Sequence, residues 1–426
     1  MSRPLFPSSS HTATRWQIFS WALFDFAHTA FYVLILTVGY PLYFKEVVVQ
    51  GSRQGDFLWG SAFSISMLIV ALFSPVLGAV ADYGAGKKRF LGILTALCVL
   101  ATSSLFFVHA GMIFLGMALL IISNIGFEAG LVFYDAFLPE ITTARSYGRV
   151  SGYGFALGYV GSLVSLAVVF PFYTGGFVSD NLLNIRLSFL IAAAFFFVFS
   201  LPLFFFLPDK QRTGSLKLDF IKIGFARLQT TYRQFPRYRN IARFLISYFI
   251  YIDGVNTIIV FSSIFARETL KMDLSEIVLY FAMVQTSAIF GSIVFGIWAD
   301  HTTHKRTLSM TLLLWLGIVV IAFFIQDKWM FYCLGVLAGL ALGSSQSISR
   351  GLMSIITPQE KKTEFFGFYS FFGKASAVLG PVVFGFVSSN LNQRFAILSV
   401  GFFLLIGLVL LQRVEERATE SSPTTS

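Results

Sequence analysis

Gly78-Ala-Val-Ala-Asp82, followed by Lys87, Lys88 and Arg89, closes one long apolar stretch; Gly296-Ile-Trp-Ala-Asp300, followed by Lys305 and Arg306, closes another. Glycine to aspartate is four residues, and aspartate to the first lysine five, in both copies. Apolarity alone requires no such match, and two more accompany it. Asp25-Phe-Ala-His28-Thr29 in the first apolar stretch is echoed by Asp253-Gly-Val-Asn256-Thr257 in the seventh. Gly152 and Gly158 in the fifth are echoed by Gly367 and Gly373 in the eleventh, at one spacing. Three matched pairs at equivalent places point to a duplication. Two repeated halves with substrate handled between them are a transporter architecture.

Composition agrees. Of 426 residues, 56% are hydrophobic and only 12% charged, against about 25% charged in an average soluble domain. With a mean hydropathy of +0.75, a soluble globular protein and a disordered one are both excluded. Cys98 and Cys333 each lie in apolar runs, so a disulfide scaffold is excluded too. A helix needs about 20 apolar residues to cross a bilayer. Twelve stretches meet the requirement: 16–44, 57–81, 90–109, 112–137, 150–172, 187–207, 241–266, 277–299, 307–326, 329–356, 365–388 and 394–412. The expected fold is an all-α polytopic membrane protein, with twelve transmembrane helices in two pseudo-symmetric six-helix bundles.

The expected domains are a cytoplasmic tail 1–15, a first bundle 16–207, a basic linker 208–240, a second bundle 241–412 and a tail 413–426. The linker alternates basic residues with Leu216, Leu218, Phe220, Ile221, Phe225 and Leu228. That pattern fits an amphipathic helix on an anionic membrane surface, or a solvated basic connection. Membrane lipids explain the net charge of +10 better than nucleic acid does. About 21 of the 31 Lys and Arg fall on the side of the N-terminal tail, about 7 opposite, and Arg243, Arg350 and Lys374 within spans. The bias places both termini in the cytoplasm. The first apolar run is too long for a cleaved signal, and no Asn-x-Ser/Thr acceptor occurs. A bacterial inner membrane is the expected location.

The Gly-xxx-Asp-x4-basic loop resembles the cytoplasmic signature of the major facilitator superfamily. Its glycine lets two helices approach closely. Its aspartate can accept hydrogen bonds from a neighbouring helix N-terminus and pair with the basic cluster. Gly78, Asp82, Lys87, Lys88 and Arg89, with Gly296, Asp300, Lys305 and Arg306, are therefore the candidate gating residues, although the basic residues also serve simply as topology markers.

Charge at bilayer depth costs at least a few kcal/mol, so each instance is a functional candidate. Asp25, Glu128, Asp253, Arg350 and Lys374 qualify. The first four lie in spans one, four, seven and ten, which the resemblance implies line the central cavity. Helical spacing groups Asp25 with His28, Thr29 and Tyr32, and Glu128 with Asn124 and Asp135. It likewise groups Asp253 with Asn256 and Thr257, and Arg350 with Gln346 and Ser349. The candidates for substrate or proton binding are thus Asp25, His28, Asn124, Glu128, Asp253, Asn256, Gln346, Arg350 and Lys374. Arg350 and Lys374 either bind a substrate carboxylate or neutralise the buried acids. Asp135 is expected to pair with Arg145 or Arg149. Trp16, Trp21, Tyr43, Trp59 and Trp329 are expected to be interfacial anchors. No P-loop, metal-ligand spacing or nucleophile elbow occurs, so neither an enzyme nor a cofactor or metal is expected.

More extended matches resemble one branch of that superfamily, the vacuolar amino-acid effluxer-like (autophagy-related effluxer) proteins. They are Trp21-Ala-Leu-Phe-Asp25-Phe-Ala, Phe133-Tyr-Asp-Ala-Phe-Leu-Pro139-Glu140, Gly152-Tyr-Gly-Phe-Ala-Leu-Gly-Tyr159, Tyr251-Ile-Asp-Gly254, Gln346-Ser-Ile-Ser-Arg350, Glu364-Phe-Phe-Gly-Phe-Tyr369 and Lys374-Ala-Ser-Ala-Val-Leu-Gly-Pro381. His28-Thr29 and Asp135 depart from the branch's Asn-Ser and Asn. The resemblance implies a secondary transporter of a small polar metabolite, an amino acid or similar zwitterion, working by alternating access; Asp25, Glu128 and Asp253 outnumber Arg350 and Lys374 by one, so protons are an expected coupling ion, and a monomer is expected. Export of an amphipathic compound is the alternative that the Phe-rich walls favour. A non-transporting membrane sensor is the alternative of another class.

Overall fold

The computed structural model describes residues 13–51, 55–80, 86–208, 238–272, 274–376 and, with short breaks, 383–417. Asp82, nearly all of the basic linker and part of the eleventh apolar stretch lie outside the described residues. Among the described residues twelve long helices carry the fold. α1 (Arg15–Phe31) starts at Thr14, whose side chain and that of Gln17 cap each other's backbone N–H groups. The chain then widens into π-helical turns at Tyr32–Thr37 and Phe44–Val48, and π turns are often found at functional sites. There follow α2 (Gly55–Val80), α3 (Lys87–Ser104), α4 (Ile113–Asp135), α5 (Tyr147–Tyr173) and α6 (Leu182–Phe206). After the linker come α7 (Arg239–Glu268), α8 (Leu274–His301), α9 (His304–Phe324), α10 (Lys328–Ile356), α11 (Lys362–Ala375) and α12 (Gln393–Leu411). Among the described residues eleven helical segments are long and apolar enough to cross a membrane.

One apolar core gathers side chains from α1 to α6, and another, almost wholly, side chains from α7 to α12. Between them α5 packs against α8, and α11 against α2. Glycine allows both contacts. A Cβ on Gly148 would collide with the carbonyl of Gly296, and one on Gly152 with that of Ser292. At the other crossing a Cβ on Gly78 would strike the carbonyl of Thr363, and one on Gly367 would lie 2.6 Å from that of Ser74. The offset from Ser74 and Gly78 to Ser292 and Gly296 is 218 residues, and from Gly148 and Gly152 to Thr363 and Gly367 it is 215. The two crossings are therefore copies of each other, and helix backbones touch wherever a side chain is missing.

Two expected anchors are corrected. Trp21 and Tyr43 are buried, whereas Trp16 and Trp329 are largely exposed. Trp21 stacks on Tyr134 with ring centroids 4.8 Å apart, and Tyr43 donates to the Val108 carbonyl at 2.7 Å. An indole and a phenol with buried hydrogen-bond partners lose nothing by leaving the interface.

Candidate functional site

Arg350 reaches from α10 into the first half of the chain and is only 2% exposed. Its Nη1 donates to Asp135 Oδ1 at 3.0 Å, and Nη1 and Nη2 both lie 3.3 Å from Asp25 Oδ2. Nε donates to Ser151 Oγ and Nη2 to the Ser151 carbonyl, each at 2.9 Å. The guanidinium also lies over the rings of Phe155 at 4.1 Å and Trp21 at 4.9 Å. Tyr134 donates to Asp25 Oδ2 at 2.8 Å, and the His28 Nε2 is 2.8 Å from Asp25 Oδ1. Asp135 thus pairs with Arg350 rather than with Arg145 or Arg149. The register explains it. Asp135 precedes Ile141-Thr142 by the same six residues that separate Arg350 from Ile356-Thr357, so the two occupy equivalent places in the repeats and meet between them.

Other side chains among the candidates also join the halves. Glu128 on α4 pairs with Lys374 on α11, Nζ to Oε2 at 3.1 Å, and Lys374 also donates to Ser370. Tyr159 on α5 donates to Gln346 Oε1 on α10 at 2.7 Å. In the 215-residue register Lys374 corresponds to Tyr159, so an ion pair in one crossing stands where its twin has a neutral hydrogen bond. Tyr32, one turn past His28 and just beyond the end of α1, has 51% of its surface open.

The other candidates are dispersed. Asn124 is fully buried and donates to Ser66 Oγ on α2 at 2.7 Å, a helix-to-helix bond within one half. Asp253 and Thr257 are fully buried in α7, with Asn256 half-buried between them. Tyr251, two residues before Asp253, shares a 2.6 Å hydrogen bond with Ser349.

On the side of the chain ends, Asp300 caps α5. It accepts from the backbone N–H of Gly148 at 2.8 Å and of Arg149 at 2.9 Å. Its nearest basic side chains are His304 at 3.8 Å and Arg149 at 3.9 Å; Lys305 instead donates to the Gln412 carbonyl, and Arg306 is exposed. In the first copy, Lys87 pairs with Glu140 at 2.8 Å, Lys88 donates to the Leu207 carbonyl, and Arg89 is exposed. Glu416, which the sequence reading passed over, caps α9: it accepts from the N–H groups of His304 and Lys305, each at 2.9 Å, and lies 3.2 Å from the His304 ring. Burial raises its pKa, but those bonds outweigh it and hold the carboxyl below its ordinary range. Its signal was local: an acid just past the last apolar stretch.

Paired six-helix halves, closed at one end by capped helices and a buried Arg–Asp cluster, define a transporter of the major facilitator class. The outward-open fucose transporter FucP superposes with a TM-score of 0.73 at 13% identity, over 94% of this chain and 98% of that one. An outward-facing bacterial homologue of the iron transporter ferroportin gives 0.72 at 12%, over 94% and 99%. Within that class the chain belongs to the vacuole effluxer Atg22-like family, whose model matches residues 60–421. It is 32% identical over 414 residues to the uncharacterized MFS-type transporter YxiO of Bacillus subtilis, covering 95% of this chain and 96% of the relative. It is 24% identical to autophagy-related protein 22 of Yarrowia lipolytica, covering 84% and 76%.

Proposed function

We propose that this transporter is a secondary active carrier of a small zwitterionic metabolite of the amino-acid class, coupled to protons and working by alternating access between residues 16–207 and 241–412. Both termini then face the cytoplasm, with a bacterial inner membrane as the setting, and the conformation described above is the one closed to the cytoplasm. The single observation that carries the reading is the placement of Arg350 in the opposite half, on Asp25 and Asp135. A charge pair buried between halves must part when that end opens, and parting requires something to take its place.

Charge arithmetic supplies the coupling ion. Asp25 and Asp135 outnumber Arg350 by one, and His28 touches Asp25. A low-dielectric site tolerates an uncompensated charge poorly, so one proton, on His28 or on a carboxylate, completes it. Purified protein in proteoliposomes should accumulate labelled neutral L-amino acids when a pH gradient is imposed. Asp25→Asn and His28→Gln should abolish that accumulation while preserving exchange between equal pools. Variants that keep the wild-type response to the gradient, or a wild type that ignores it, would contradict proton coupling.

A further inference from the structure

We infer that the Glu128–Lys374 ion pair is the head-group receptor of the site: a zwitterion opens the pair, its ammonium going to Glu128 and its carboxylate to Lys374. This rests on the transporter reading above and adds which residues select the substrate and by what charge rule.

Three observations lead there. The pair bridges α4 and α11, one helix from each half, with side chains 12% and 11% exposed, so it is neither solvated nor sealed. Lys374 lies twelve residues into α11 from Lys362, about 18 Å from the helix start at 1.5 Å per residue, which is close to the middle of a hydrocarbon layer about 30 Å thick. The pseudo-equivalent crossing achieves the same helix contact with Tyr159 and Gln346, so charge is not needed there to hold α4 to α11. Two buried charges are a costly way to join helices when a neutral pair serves.

The geometry favours a zwitterion over a singly charged ligand. At 3.1 Å the two groups satisfy each other, and a cation or an anion can replace only one partner while leaving the other charge buried and alone. A molecule carrying both charges replaces both and keeps the site neutral. Arg350, held by Asp25, Asp135 and Ser151, has its donors occupied and is the latch rather than the receptor.

The proposal predicts a change of charge class. Three probes sharing one ring are measured against purified full-length protein by ligand-induced thermal shift and by equilibrium binding: L-phenylalanine, phenethylamine and 3-phenylpropionate. Wild type should prefer L-phenylalanine at least about tenfold over either half-molecule. Glu128→Gln leaves Lys374 alone and should move the preference to 3-phenylpropionate; Lys374→Gln should move it to phenethylamine. A gain of binding cannot come from misfolding, and the exchanged pair Glu128→Lys with Lys374→Glu should restore preference for L-phenylalanine. If wild type binds L-phenylalanine and both single variants keep its order of preference, the assignment of these residues is wrong while the transporter reading stands. If wild type binds none of the three, the zwitterion rule is wrong, and gradient-driven uptake of other solutes still tests transport separately.

Discussion

Arg350→Gln should open the side of the bundle that carries the chain ends. The arginine makes five polar contacts to the opposite half at 2.9–3.3 Å. Removing one member of a buried pair leaves the other uncompensated, at a cost of about 3–5 kcal/mol. Asp25 and Asp135 both lie in the first half and Arg350 in the second, so the cost falls mainly on the conformation in which the halves meet. At about 1.4 kcal/mol per factor of ten, the balance should shift by roughly two to three and a half orders of magnitude toward separation. Spin labels at Thr143 and Glu360, both exposed and next to α5 and α11 respectively, report it as a distance distribution, after Cys98 and Cys333 are replaced by serine. A longer-distance population should dominate in Arg350→Gln. Asp135→Asn should give a smaller shift, because Asp25 remains beside the guanidinium. Distributions for Arg350→Gln that overlay the wild type would refute the latch.

Further outcomes follow from the same contacts. Gly148→Val forces a side chain into the Gly296 carbonyl and should cost about 1–3 kcal/mol, seen as the same opening in the spin-label distances. Asp300→Ala removes the α5 cap, worth about 1 kcal/mol, and should shift those distances in the same direction but less. Glu416, with its pKa held down by its bonds to His304 and Lys305, contributes stability that is fully present above the usual glutamate value of about 4.3 and is lost as pH falls through the lowered folded value. Thermal unfolding of wild type in detergent should therefore lose more between pH 6 and pH 3 than that of Glu416→Gln; equal losses would show that the cap carries no such stability.

Most of the fold was legible because each span is long and most breaks are charged or polar. A helix crossing a bilayer must be apolar for its whole length, and loops must not be, so hydropathy reports the helices directly. Internal spacing then reported the duplication, since a glycine at a helix crossing cannot drift without a clash. Among the candidate site residues, shared helix faces were legible and partners across the bundle were not. Helical spacing says which residues share a face, as with Asp25 and His28, but nothing about which helix comes opposite. Asp135 was assigned to nearby arginines because sequence distance was the only available guide, whereas its partner lies 215 residues away at the equivalent place in the other repeat. Aligning Ile141-Thr142 with Ile356-Thr357 would have placed the two face to face. Asn124 misled for a related reason: a polar residue one turn from Glu128 can as easily bind within its own half, here to Ser66.

The repeat also bears on why the charges are unlike. Equivalent places near a pseudo-two-fold axis face each other, and two aspartates in the places of Asp135 and Arg350 would repel across it. Divergence to one acid and one base converts that contact into a latch, and the second acid, Asp25, makes the latch strong and leaves it one charge in excess. Strength matters to the proposed cycle. Moving a two-state equilibrium from 1:99 to 99:1 takes about 5.5 kcal/mol of differential binding, comparable with the latch itself. In the proposed cycle a proton on the Asp25–His28 pair would remove the excess charge and weaken the hold on Arg350. In the same cycle a zwitterion at Glu128 and Lys374 acts on the same balance, because that pair also joins one half to the other. Neither ligand need supply the whole difference alone, and a carrier that moves only when both are bound, or neither, is a coupled one.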